Sequence, residues 1–165
     1  MKVIILVGNI GSGKSSLSAL LKPTYEIVNQ DNIGNRKDCM NIMRRHLQQG
    51  KNALIDRTNI SREQRAYFLN IAKDYRAEVS CVLFQIPVVE CIKRVKARKE
   101  HKTIPFGTPD AKIEEIVKKF SDSYEAPDYL EGFENIYSVT SDTDLSDLVI
   151  RLTTTSEESI KNRNS

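Results

Sequence analysis

Apolar and polar positions follow one another along the chain in blocks that predict strands and helices in alternation. Continuous apolar runs with the length of buried strands lie at 2–7, 25–29, 52–56, 78–85 and 134–139. Apolar residues three or four positions apart predict helices over 14–21, 35–49, 61–75, 87–99, 110–123 and 144–153. Because strands that alternate with helices form parallel sheets, we expect an α/β fold with a doubly wound sheet.

Length and composition indicate one domain with a tail. The chain has 165 residues, of which 39% are hydrophobic, and this suits a single compact domain over 1–154. Residues 100–109 form a basic loop that contains two prolines and a glycine, so we expect a small helical lid over about 94–109. The polar segment 155–165 is expected to be a flexible tail.

Composition also argues against some classes of protein. No apolar run approaches the roughly 20 residues of a membrane span, and the N-terminal run leads into glycines rather than a signal-peptide cleavage site. Cys39, Cys81 and Cys91 lie in apolar patterns without metal-ligand spacing, which is typical of buried thiols in a reducing compartment. We therefore expect an intracellular protein, cytoplasmic or nuclear, with no membrane partner.

The strongest motif lies between the first predicted strand and the first predicted helix. It is Gly8-Asn9-Ile10-Gly11-Ser12-Gly13-Lys14-Ser15, which fits the Walker A pattern G-x-x-x-x-G-K-[ST]. Glycines let backbone N–H groups wrap phosphates, and the N-terminus of the helix adds its positive end. Lys14 should reach the β- and γ-phosphates, and the Ser15 hydroxyl should coordinate Mg²⁺. We predict that this loop and Ser16 bind a nucleoside triphosphate, ATP or GTP.

Aspartates follow the second and third predicted strands. Asp56 ends the third strand, where a carboxylate can hold Mg²⁺ near the phosphates. Ligands of a doubly wound sheet bind outside the carboxyl ends of its strands, so Lys14, Asp31 and Asp56 should surround one crevice. Asp31 would be placed there as a general base for an acceptor hydroxyl. Its position alone is equally consistent with an aspartate that caps a helix or a turn.

Basic residues crowd into positions 93–102 of a chain whose net charge is +3. Arg94 and Arg98 lie four positions apart and should share a face of the predicted helix 87–99. Arginines on a closing lid can stabilise the negative charge of a phosphoryl group in transfer. The same run is equally consistent with a solvated basic face.

These motifs together make the chain resemble the 5′-hydroxyl polynucleotide kinases, the kinase module of the phage and animal end-healing enzymes. The resemblance covers about residues 3–140. The matching segments are the loop 8–15, Asn29-Gln30-Asp31, Asp56-Arg57-Thr58-Asn59, Arg94 with Arg98, and Glu131-Gly132-Phe133. Many kinases share the loop, whereas the D-x-T-N motif in combination with the preceding aspartate is far more selective.

The resemblance implies an adenylate-kinase-like P-loop fold, with a parallel sheet in the order 2-3-1-4-5. It implies transfer of the γ-phosphate of a nucleoside triphosphate to the 5′-OH end of a nucleic acid, as in nucleic acid repair. Arg94 and Arg98 would contact the donor phosphates, and Thr58 and Asn59 would help to build the acceptor side. The implied catalytic residues are Lys14, Asp31 and Arg98, and the implied Mg²⁺ ligands are Ser15 and Asp56.

The chain departs from the family pattern on the acceptor side. Gln30 replaces the arginine that usually precedes the aspartate, and Gly34 stands where phage members carry an arginine. Arg36 lies close by and is a candidate contact for the acceptor phosphate. The D-x-D-x-T motif of the companion 3′-phosphatase does not occur in the sequence, so we expect partner proteins for end healing or ligation.

Two other functions fit the same motifs. A kinase of a small-molecule hydroxyl, on a nucleoside, nucleotide, sugar or antibiotic, would need a closed acceptor pocket rather than a groove. A nucleotide-dependent switch or binding module would hydrolyse slowly and transfer nothing, and it would need neither Asp31 nor the lid arginines.

Overall fold

The structure, a computed structural model, describes residues 1–98 and 104–161. The predicted lid residues Lys99, His101 and Lys102 and the tail residues 162–165 lie outside this part of the chain. The strands are β1 (Lys2–Val7), β2 (Glu26–Asn29), β3 (Ala53–Asp56), β4 (Glu78–Phe84) and β5 (Asn135–Val139). The helices are α1 (Lys14–Leu21), α2 (Gln30–Ile33), α3 (Arg36–Gln48), α4 (Arg62–Asp74), α5 (Val88–Ala97), α6 (Asp110–Asp122) and α7 (Asp142–Lys161), with a 3₁₀ turn at Tyr129–Glu131.

The five strands form one sheet in the order β2-β3-β1-β4-β5, and every pairing is parallel. This confirms the predicted fold and strand order. The apolar strand β1 lies at the centre, where Ile5 stands opposite Ile55 on one side and Cys81 on the other. A strand with both neighbours paired and both faces covered must be apolar at every position, as the run 3–7 is.

Alternate side chains of β1 enter two separate cores, one on each face of the sheet. Val3, Ile5 and Val7 pack with apolar residues of α3 and α4. Ile4 and Leu6 pack with those of α1 and α7. A third, smaller cluster joins α5 to α6 and includes Ile10 of the glycine-rich loop. The loop is therefore enclosed between the sheet and the α5–α6 pair.

Most predicted elements begin and end within one or two residues of the observed ones, and the exceptions have local causes. The last helix runs to Lys161 rather than ending near 153. Within this extension the Thr153 hydroxyl donates to the carbonyl oxygen of Val149, 2.9 Å away. The prediction missed two short elements, α2 and the 3₁₀ turn, because side-chain caps define them rather than apolar periodicity.

Helix α5 ends at Ala97, so Arg98 does not share a helical face with Arg94 as predicted. The backbone N–H of Arg98 donates a hydrogen bond to the carbonyl oxygen of Val95, three residues earlier. The backbone of Arg98 itself is extended. Within the described residues, no helix is both long enough and apolar enough to cross a membrane.

Candidate active site

The glycine-rich loop joins β1 to α1 in a conformation that requires glycine. Gly11 and Gly13 have φ angles of 80° and 101°, a region that L side chains rarely adopt. A Cβ atom on Gly11 would lie 2.6 Å from the carbonyl oxygen of Cys91, closer than any such contact allows. Asn9 fastens the loop to α6, since its Nδ2 donates to the carbonyl oxygen of Val117 (3.0 Å) and to Ser121 Oγ (2.8 Å).

Lys14 is the buried cation of this loop. Its Nζ donates to the carbonyl oxygens of Gly8 (2.9 Å) and Asn9 (2.6 Å), and only 8% of the residue is exposed. Burial lowers the pKa of Lys14 to about 8, although the charges of Asp56 and Asp31 act in the opposite direction. The ammonium is therefore poorly compensated by the protein, and an anion in the cleft would stabilise it.

The affinity for nucleotide is expected to fall as the pH rises above about 8. Below this value Lys14 is already charged, whereas above it the free protein must take up a proton to bind the triphosphate. The Kd should then rise by up to about tenfold per pH unit. Calorimetric titration at about pH 9, in two buffers of different ionisation enthalpy, measures the proton uptake.

A matched lysine serves as the control for this pH dependence. Lys51 is exposed and pairs with Glu26 (2.8 Å) at the opposite, amino-terminal end of the sheet. Lys51→Met should leave the proton uptake unchanged, while Lys14→Met should abolish it together with most of the affinity. A wild-type protein that takes up no proton at about pH 9 would contradict the lowered pKa.

A cleft of about 300 Å³ opens beside Lys14 at the carboxyl ends of β1, β2 and β3. It brings together predicted residues from four separate segments of the chain. Those that line it are Ile10, Gly11, Gly13, Lys14, Ser15, Asp31, Asp56, Thr58 and Arg98. Gln30, Arg57, Gln64 and Phe120 complete the lining.

Asp56 and Asp31 are connected through Asn29. Asp56 is buried at the end of β3 and accepts a hydrogen bond from Asn29 Nδ2 (2.9 Å). Asn29 Oδ1 in turn caps α2 by accepting from the N–H of Asn32 (3.0 Å). Asp31 lies in the first turn of this short helix and is exposed. The bonds of Asn29 therefore fix the direction in which α2 leaves the sheet and carries Asp31 along the cleft.

The residues present fit Mg²⁺ bound together with phosphates. The Ser15 hydroxyl and the Asp56 carboxylate line the same cleft, and both are hard oxygen ligands of the kind that Mg²⁺ prefers. The described residues contain no group of three or more His, Cys, Asp or Glu side chains that could hold a metal ion by themselves. An ion in this cleft would be held by one carboxylate, one hydroxyl and the phosphates of a bound nucleotide.

The two predicted lid arginines take different places. Arg98 is the residue that follows α5, and it lines the cleft. Arg94 lies behind the loop, where its Nε donates to Glu90 (3.0 Å) and its Nη1 lies 3.8 Å from the position of a Cβ on Gly13. Arg94 is thus adjacent to the phosphate loop without lining the cleft.

The loop after β3 is tied to the phosphate loop by backbone and side-chain bonds. The carbonyl oxygen of Thr58 accepts from the N–H of Gly8 (3.0 Å). Asn59 is fully buried at a φ of 44°, and its Nδ2 donates to the carbonyl oxygen of Leu6 (2.8 Å). Thr58 therefore faces the cleft, whereas Asn59 holds the loop against β1 and does not line the cleft.

A buried ion pair between Arg65 and Glu131, which sequence reasoning missed, is bonded to the loop after β3. Arg65 is fully buried and donates to both carboxylate oxygens of Glu131, at 2.8 and 2.7 Å. Its Nη1 also donates to the carbonyl oxygen of Asn59 (3.1 Å). The signal that could have found it is an arginine at the apolar spacing of α4, three positions before Phe68.

Of Arg36 and Arg57, only Arg57 lines the cleft, so the structure does not bring the predicted acceptor contact Arg36 into it. Arg36 is exposed and lies over the ring of Tyr67, with 3.8 Å between its Cζ and the ring centroid. Arg57 lines the cleft itself, and its Cζ lies 5.4 Å from the centroid of Phe68.

Two curated proteins resemble most of this chain. The transcription factor bHLH140 of Arabidopsis thaliana is 31% identical in an alignment of 156 positions that covers 89% of this chain and 17% of that protein. The bifunctional polynucleotide phosphatase/kinase of Schizosaccharomyces pombe is 28% identical in an alignment of 141 positions that covers 84% of this chain and 33% of that protein. The chain thus spans a third or less of the length of these relatives.

Solved structures share the fold at low sequence identity. Kti12 of Chaetomium thermophilum, in complex with ADP-AlF3, is 13% identical with a TM-score of 0.64, covering 92% of this chain and 97% of that one. A sugar kinase from Janibacter sp. HTCC2649 is 15% identical with a TM-score of 0.64, covering 93% of each chain. The AAA_33 family of AAA domains matches residues 3–123, well over half of the sequence. The chain therefore belongs to the AAA_33 family, and its fold is that of the P-loop kinases.

Proposed function

We propose that the protein transfers the γ-phosphate of ATP or GTP to the 5′-OH end of a polynucleotide. One observation carries the proposal: a buried lysine and an exposed carboxylate, Lys14 and Asp31, line the same cleft together with Arg98. The similarity to the polynucleotide phosphatase/kinase of S. pombe supports this acceptor. A product with a 5′-phosphate end would suit partner proteins that ligate nucleic acids.

The donor triphosphate would lie along residues 8–16. Backbone N–H groups of the loop and the Lys14 ammonium would bind its β- and γ-phosphates, with Arg94 next to the loop and Arg98 across the cleft. Ser15 and Asp56 would hold Mg²⁺, which when bound neutralises charge on the phosphate oxygens.

Asp31 would act as the general base of the transfer. Its carboxylate takes the proton of the 5′-hydroxyl as that oxygen forms a bond to the γ-phosphorus. The bond between this phosphorus and the bridging oxygen of the β-phosphate breaks in line, and the nucleoside diphosphate leaves. Lys14 and Arg98 stabilise the negative charge that spreads over the phosphoryl oxygens in the transition state.

Acceptor binding would fall to the other side of the cleft. Thr58 faces the cleft, Asn59 fixes the loop that carries it, and Arg36 offers an exposed cation nearby. Contacts of this kind bind phosphate and sugar rather than base edges, so we expect little base preference.

The test is transfer of a labelled γ-phosphate to a panel of acceptors: 5′-OH RNA, 5′-OH DNA, nucleosides and 3′-mononucleotides. Transfer to the oligonucleotides supports the proposal. Transfer to nucleosides or 3′-mononucleotides alone would instead establish a small-molecule kinase. Release of inorganic phosphate with no labelled acceptor would point to a nucleotide-dependent switch.

A further inference from the structure

Arg57 is a half-buried cation, and two of its guanidinium nitrogens have no hydrogen-bond partner among the described residues. It directly follows Asp56 and lines the cleft. Its Nε and Nη1 atoms are buried, and no described residue accepts a hydrogen bond from either. The Cζ of its guanidinium lies 5.4 Å from the centroid of the Phe68 ring.

The contrast with Arg65 makes this arrangement significant. Arg65 is fully buried, and its guanidinium makes five hydrogen bonds to Glu131, Asn59, Glu125 and Ala126. Buried arginines are ordinarily satisfied in this way, because an unpaired N–H group in the interior costs free energy. The same fold thus satisfies one arginine fully, whereas Nε and Nη1 of the other, at the cleft, have no partner in the described part of the chain.

The electrostatic surroundings of Arg57 also lack a compensating charge. Burial lowers the pKa of its guanidinium, the Cys39 thiol acts in the opposite direction, and the charge of Arg36 lowers the pKa further. The carboxylate next to it in the chain, Asp56, is bonded to Asn29 instead. Since an arginine stays charged in proteins, the group is suited to an anion that enters the cleft from outside.

We propose that Arg57 binds an anionic group of the acceptor, a phosphate that lies next to the reacting hydroxyl. A phosphate at this position would supply the hydrogen-bond acceptor that these N–H groups lack, and a hydrogen bond from arginine to phosphate is strengthened by charge. Arg57 then selects alcohols that carry a phosphate, such as nucleotides and polynucleotide ends, over nucleosides and sugars. This inference rests on the proposed function and names the residue that decides its specificity.

The test compares a nucleoside 3′-monophosphate with the same nucleoside as acceptor. Arg57→Met should lower kcat/KM for the phosphorylated acceptor by about 10- to 100-fold, the loss expected for a hydrogen bond to a charged group. The preference, measured as the ratio of kcat/KM for the two acceptors, should fall by a similar factor, and Arg57→Lys should restore part of it. As a control, Arg76→Gln changes an exposed arginine at the opposite end of the sheet and should retain the full preference.

A binding experiment keeps the two proposals separable. The wild-type chain, saturated with a non-hydrolysable nucleotide analogue, is titrated with the nucleoside 3′-monophosphate in a calorimeter, and Arg57→Met is treated in the same way. Loss of binding in the variant supports the role of Arg57 even if the wild type transfers no phosphate, which would overturn the proposed function alone. Equal binding by both proteins, or an equal loss of kcat/KM for both acceptors, would overturn the role of Arg57.

Thermal unfolding provides a check on folding. Methionine keeps the apolar stem against Phe68 and removes the unpaired N–H groups, so the Tm of Arg57→Met should equal or exceed that of the wild type. A clear decrease in Tm would identify a structural role for the guanidinium and would overturn the proposal.

Discussion

Asp31→Asn is expected to lower kcat for phosphoryl transfer by about 10²- to 10⁴-fold, the usual contribution of a general base. Asparagine has nearly the shape of aspartate but cannot take the proton of the acceptor hydroxyl. The residue is exposed in the first turn of α2 and belongs to neither the phosphate loop nor the buried core. Nucleotide binding should therefore persist, and the loss should fall on the chemical step.

Single-turnover transfer and equilibrium titration with nucleotide measure the two effects separately. Asp74→Asn provides the matched control, since it makes the same change at an exposed position near the end of α4 and should retain full activity. An Asp31→Asn protein that transfers phosphate at the wild-type rate would show that another group takes the proton. A variant that no longer binds nucleotide would show that Asp31 acts on the donor side.

Glu131→Ala is expected to reduce the free energy of unfolding by about 3–5 kcal/mol, the range observed when one partner of a buried ion pair is removed. The change would leave the fully buried guanidinium of Arg65 without its carboxylate. It would also remove the bond from the N–H of Asp128 to Glu131 Oε1 (3.0 Å), which closes the 3₁₀ turn. Helix α4 and the 3₁₀ turn, which are far apart in sequence, would no longer be joined by this ion pair.

Chemical unfolding followed by circular dichroism measures this effect. The control is Glu134→Ala, which removes an exposed glutamate of the same segment and should change the free energy by less than about 0.5 kcal/mol. Replacing both partners, as in Arg65→Met with Glu131→Leu, should recover most of the loss, because no uncompensated charge remains. If Glu131→Ala unfolds at the wild-type denaturant concentration, the pair does not stabilise the fold.

Local sequence patterns were sufficient to predict most of the fold. A strand buried on both faces must be apolar throughout, so the run 2–7 could be assigned without knowledge of its neighbours. The glycine-rich loop is equally local, because the backbone geometry at Gly11 and Gly13 excludes other residues. Ligands bind at the carboxyl ends of parallel strands, and this rule predicted that Lys14 and Asp31 would line one cleft, as they do.

Side chains whose environment depends on distant residues could not be predicted in this way. Arg65 and Glu131 are 66 positions apart, and nothing near either residue indicates that they pair in the interior. Arg57 occupies the variable position of its motif, and its missing partner is visible only when all neighbours are in place. The resemblance implies that Asn59 helps to build the acceptor side, and only the structure shows that its left-handed backbone turns its amide towards Leu6.

The attachment of Asn9 to α6 limits how this protein could close around a bound nucleotide. Ile10 is packed among the apolar residues of α5 and α6, and the Asn9 amide is bonded to Val117 and Ser121. We therefore expect α5, α6 and the tip of the glycine-rich loop to move together as one rigid body. A rigid-body movement of α5 and α6 would also displace the loop proposed to bind the phosphates. Tightening of the loop on the donor and exclusion of water from it would then occur in the same step.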